Sequence, residues 1–132
     1  MTRRDDGFTL IELLVVIIII GVLAGIGIPT YLRQREKAWR VQAVNDMKNA
    51  ATAIESYATN SVGSYLAVNG ATEATPELLS EGFRGGAWVS LLVVSDATNY
   101  CIEGTHVHLP AQVFVYRNTE GVVRVGGGGL SC

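Results

Sequence analysis

Residues 7–29 read GFTLIELLVVIIIIGVLAGIGIP, and this stretch decides the fold. No side chain from 13 to 28 is charged or strongly polar, and the apolar run extends over residues 8–32 with Glu12 as its single charge. As a helix, about 25 residues rise about 37 Å, enough to cross a hydrocarbon core. A carboxylate inside hydrocarbon costs several kcal/mol, so Glu12 is best read as waiting for a cationic partner, the alternative being an acid at the lipid headgroup level that the helix dipole favours. The nearest candidate is a backbone amine. Cleavage between Gly7 and Phe8 would create an ammonium group four residues before Glu12, about one helical turn away.

Moving outward, the leader MTRRDDG balances Arg3 and Arg4 with Asp5 and Asp6, while Arg33, Arg35 and Lys37 follow the apolar run. The charge bias that orients a membrane helix is therefore ambiguous. A secretory signal peptide would need small residues after its apolar stretch, and Gly25-Ile26-Gly27 ahead of Pro29 is a poor version of that pattern. Gly21, Gly25, Gly27 and Pro29 also mark a weak point, because each glycine costs up to about 1 kcal/mol of helix stability. Two readings stand: a close-packed or slightly kinked membrane helix, and a segment that unwinds when the helix is packed in a fibre.

Gly7 followed by Phe8-Thr9-Leu10-Ile11-Glu12 and an uncharged Val/Ile run closely resembles the class III signal of type IV pilins and the related type II secretion pseudopilins. The resemblance is nearly continuous from Gly7 to Pro29 and weakens after about residue 60. It implies cleavage after Gly7 by a prepilin peptidase on the cytoplasmic side and N-methylation of Phe8 by the same enzyme. It further implies polymerisation into a filament in which Glu12 meets the Phe8 ammonium of a neighbour. A physical logic runs beside it. A charged leader tethers the chain to one membrane face, and its removal lets the helix leave the lipid. The abundant cover for an extracted apolar helix is then the same helix on other copies, through contacts that do not close.

With 132 residues, the chain has room for one membrane segment and one small soluble domain. A net charge of -2 gives no general drive toward nucleic acid. Over residues 30–60 no breaker intervenes. Val44, Met47, Ala51, Ile54 and Ala58 recur at helical spacing, with Ala43, Ala50 and Tyr57 widening the stripe and Asn45, Asp46, Lys48, Asn49, Glu55 and Ser56 off it. Membrane and amphipathic parts thus predict one helix of about 50 residues. Residues 60–70 read as a connector, and Thr75-Pro76-Glu77 predicts a short helix ending near Gly82. Residues 87–94, 98–103, 112–117 and 122–125 predict four strands, most simply an antiparallel meander, with residues 126–129 a flexible approach to the C-terminus. The expected fold is α+β: a long N-terminal helix packed on a small antiparallel sheet, as the pilin resemblance also implies. The division is a leader at 1–7, a transmembrane and polymerisation helix at 8–32, its amphipathic half at 33–60, and a globular head at 61–132.

Cys101 and Cys132 both lie beyond the apolar segment, so a disulfide is expected, with two free thiols the alternative if the domain stays in the cytoplasm. The resemblance to disulfide-closed pilin ends leans toward a pilin. Little else carries chemistry. His106 and His108, with Glu103, offer a weak metal set, but histidines in a polar turn are more often solvated, and no HExxH or CxxC accompanies them. Asp96, Asn99 and Glu103 offer oxygens for calcium at a spacing that is not diagnostic. No GxSxG occurs, and the glycine run at 126–129 lacks the setting of a phosphate cradle. No cofactor, metal or catalytic residue is expected. The sequence predicts a structural subunit of a type IV pilus: a homo-oligomer in the filament, held by membrane lipid beforehand and handled by the pilus assembly machinery. Its course runs from single-pass precursor in the cytoplasmic membrane to extracellular fibre. The alternative is a type II secretion pseudopilin, and a third reading is a monomeric membrane-anchored binding domain.

Overall fold

The computed structural model describes residues 7–61 and 63–132; the leader residues 1–6, and with them the expected tether of Arg3, Arg4, Asp5 and Asp6, lie outside the described residues. The chain forms two compact units, one through Arg35 and the other from Glu36 to Cys132. A single helix, α1 (Leu10–Asn60, 51 residues), contributes to both.

In the first unit α1 stays α-helical through Gly21, Gly25, Gly27 and Pro29. Pro29 has no N–H to give the ladder, and next to it the Thr30 hydroxyl donates to the Ile26 carbonyl at 3.0 Å. This part of the helix is long and apolar enough to cross a membrane, and among the described residues its most apolar 18-residue window has no buried position. Ile11, Ile17, Ile20, Leu23 and Ile26 all stand exposed, each at least 59% accessible.

The second unit packs the rest of α1 on a sheet. Strands β1 (Val89–Ser95), β2 (Tyr100–His106), β3 (Val113–Arg117) and β4 (Val123–Gly126) form an antiparallel meander in the order β1-β2-β3-β4. All four expected strands are present, with ends displaced by at most three residues. The short helix α2 (Pro76–Ser80) starts at its expected proline. Strand alternation places Val89, Leu91, Val93, Tyr100, Ile102 and Phe114 on the face that meets Ala43, Met47, Ala50, Ala51 and Ile54 of α1. Leu78 of α2 and Phe83 complete this core. Small residues set the approach: a Cβ on Gly104 would stand 3.0 Å from Leu91 Cδ2 and 3.4 Å from Met47 Sδ, so the bare β2 backbone makes room for the methionine.

Two sequence expectations are corrected here. Asp46, placed off the apolar stripe, is buried, because its Oδ2 accepts the Gly86 N–H at 2.9 Å and so ties the approach to β1 onto α1. His106, expected in a solvated turn, is the last residue of β2, pairs with Val89 and is 1% exposed. The two sheet edges also differ. Residues 69–73 cover β1, with Gly70 N–H donating to Val93 O, Val93 N–H to Ala71 O and Leu91 N–H to the Glu73 carboxylate.

The C-terminal segment crosses the opposite sheet face and is more tied down than a flexible approach. Cys132 is joined to Cys101 on β2, with Cα atoms 5.8 Å apart. Arg117 Nη2 donates to the Ser131 carbonyl at 2.9 Å, and Leu130 N–H to Gly127 O at 3.0 Å.

Candidate functional site

The N-terminal end of α1 gathers the residues singled out for processing and assembly. Gly7 and Phe8 are exposed and lie outside regular structure, and Phe8 is 85% accessible, so the peptide bond between them is open to an enzyme. The helix opens on a reciprocal cap. Thr9 N–H and Thr9 Oγ1 both donate to Glu12 Oε2, at 2.9 and 2.8 Å, while Glu12 N–H donates to Thr9 Oγ1 at 3.3 Å. This is the S/T-x-x-E capping box, which satisfies donors that a helix start leaves orphaned. Thr9 is a residue that the sequence reading did not single out, although the Thr9-Leu10-Ile11-Glu12 spacing carries the signal.

The cap decides what Glu12 can offer. Both Thr9 bonds fall on Oε2, so the second oxygen keeps its acceptor capacity, and an acid at a helix N-terminus is favoured by the dipole. Beyond it, Phe8, Ile11, Val15 and Val16 line a shallow groove with Glu12. A carboxylate is thus set on an otherwise apolar surface, one turn after the residue whose amine cleavage would free.

The other sequence candidates do not assemble into a site. Asp96 Oδ1 accepts the N–H groups of Thr98 and Asn99, both at 2.7 Å, which shapes the β1–β2 turn and holds the carboxyl below the usual carboxylate range. Glu103 lies along β2, where its Oε2 takes the Cys132 N–H at 3.4 Å. Among the described residues no group of three or more His, Cys, Asp or Glu could hold a metal ion. Elsewhere in the second unit Glu55 accepts the hydroxyls of Tyr65 and Tyr100, at 2.8 and 3.0 Å. Burial first, and then that carboxylate, pushes the Tyr100 phenol up, so it stays a donor.

An apolar helix headed by Gly-Phe and a capped acid, joined to a small antiparallel sheet, defines a pilin-like α+β protein. Comparison with known proteins agrees. The family described as prokaryotic N-terminal methylation motif matches residues 2–28. The type II secretion system core protein G of Aeromonas hydrophila is 36% identical over 97 residues, covering 68% of this chain and 66% of that protein. Its counterpart in Pectobacterium carotovorum is 44% identical over 54 residues, covering 41% of this chain and 35% of the relative. The type IV major pilin protein PilA of Myxococcus xanthus is 41% identical over 54 residues, covering 41% of this chain and 24% of that protein. The chain thus spans from about a quarter to about two-thirds of the length of these relatives. No solved structure matches it. The chain belongs to the type IV pilin and pseudopilin family, which is structural and not enzymatic.

Proposed function

We propose that this chain is a pseudopilin, a filament subunit of a type II secretion system, inserted in the cytoplasmic membrane as a precursor and matured to residues 8–132. The observation that carries this reading is the match to the Aeromonas core protein G, which covers 68% of the chain and so reaches past α1 into the sheet. This shifts weight away from the pilus subunit that the N-terminal resemblance alone favoured. A prepilin peptidase cleaves after Gly7 and methylates Phe8, and the leader at 1–7 is discarded. Residues 8–32 leave the lipid and pack against siblings, with Glu12 matched to a neighbour's Phe8 ammonium. The head then faces outward.

The pairing follows from magnitude. An unpartnered buried carboxylate destabilises by several kcal/mol, and a matched amine both offsets that and fixes axial register. The apolar side chains exposed between Phe8 and Leu32 must stay covered on leaving the lipid, since each left in water would cost roughly 1.5–3 kcal/mol, and sibling helices supply that cover. The second reading, an extracellular pilus subunit, is favoured by the match to the Myxococcus pilin and by the disulfide-closed C-terminus.

Deletion of the gene in its host separates the two. A pseudopilin mutant retains exported enzymes in the periplasm and keeps its surface fibres. A pilus mutant secretes normally and loses the fibres, which would overturn the secretion reading.

A further inference from the structure

His106 closes β2 beside α1, and two bonds define where its proton sits. The His108 N–H donates to His106 Nδ1 at 3.1 Å, so Nδ1 is an acceptor. His106 Nε2 lies 3.4 Å from Gln42 Oε1, an atom that can only accept, so Nε2 carries the hydrogen. Together they demand the neutral Nε2–H tautomer in a residue 1% exposed. The next ring builds on this one. His108 stacks on Trp39 at 4.6 Å between centroids, stands 5.5 Å from Trp88, and is 5.6 Å from His106.

We propose that His106 is an acid-sensitive latch: a proton on Nδ1 removes the acceptor that holds the turn after β2, and places a charge between that turn and α1, so this end of the head loosens reversibly as pH falls. The inference does not depend on which filament the chain builds.

Two ionisable groups act on the ring. Asp46 on α1 favours its protonation, but its Oδ2 already accepts the Gly86 N–H. His108, on the turn, opposes it. Its neighbours Gln42 and Trp39 on α1, and Val89 opposite it on β1, are neutral. Burial, and then the charge on His108, holds His106 below the ordinary histidine range. The sign follows. The unfolded chain takes up the proton near the ordinary value of about 6.5, and the folded chain only at lower pH. The latch therefore contributes in full above about pH 6.5 and is lost as pH falls through the folded value.

The test uses the full chain in detergent micelles, with long-range proton–nitrogen correlation of the histidine rings and tryptophan emission followed on acidification. Expected are a bare Nδ1 and protonated Nε2 on His106 at neutral pH. A reversible one-proton change in emission should follow, with its midpoint below the ordinary histidine value, lost completely in His106→Gln and kept in His108→Gln. A Nδ1–H tautomer, or an emission change that survives in His106→Gln, overturns the proposal. Should His106→Gln fail to fold, the wild-type tautomer and midpoint decide alone, and a midpoint at or above the ordinary value overturns it.

Discussion

Glu12 has one task in its own helix and, on the proposed function, a second in the fibre. It caps its own helix through Thr9, a role worth about 1 kcal/mol in exposed helices, and in the fibre it is expected to take a neighbour's amine. The first is small beside the membrane affinity of the apolar run. Glu12→Ala should therefore leave membrane insertion unchanged while strongly reducing incorporation into fibres; wild-type fibre yield from the mutant as sole subunit would show that no pairing is needed. Asp46 belongs to the same scale. A Cβ on Gly86 would stand 2.5 Å from Gln42 Nε2 and 2.9 Å from Asp46 Oδ2, so Gly86→Ala must displace that contact, at an expected loss of about 1–3 kcal/mol in denaturant unfolding. Of these residues, Glu12 stood out in the sequence as the single charge in an apolar run, and its place three residues after Thr9 is what the capping box uses. Asp46 did not stand out. Its partner is a backbone N–H 40 residues away, and helical periodicity does not encode where a loop returns.

At the scale of elements, the strongest constraint outside α1 is the bond between Cys101 on β2 and the chain end. Closing a loop of this size stabilises by about 3–4 kcal/mol on the chain-entropy model. Reduction, or Cys101→Ser, should lower the melting temperature of the folded sheet, and identical melts with and without reductant would contradict the estimate. The elements themselves were readable for separate reasons. The 3.6-residue stripe of alanines with Met47 and Ile54 marked α1, and a short Val-rich run before a polar break marked β1. Strand ends were not readable, since they follow from pairing: β2 reaches His106 because Val89 lies opposite it. That extension also turned a histidine expected at the surface into a buried one.

At the scale of the whole molecule, the chain carries an apolar helix surface that stands exposed among the described residues. On the function proposed above, lipid covers it in the precursor and sibling helices cover it in the polymer. The same proposal has the switch between them depend on a severed leader and a new positive end close to Glu12. The charge on the chain, -2 in all, plays no evident part in this exchange. Mass spectrometry of the N-terminal peptide from assembled fibres tests the account most directly. It predicts a chain beginning at N-methylated Phe8; fibres built from chains that still carry Met1, or that begin after Gly27, would contradict it.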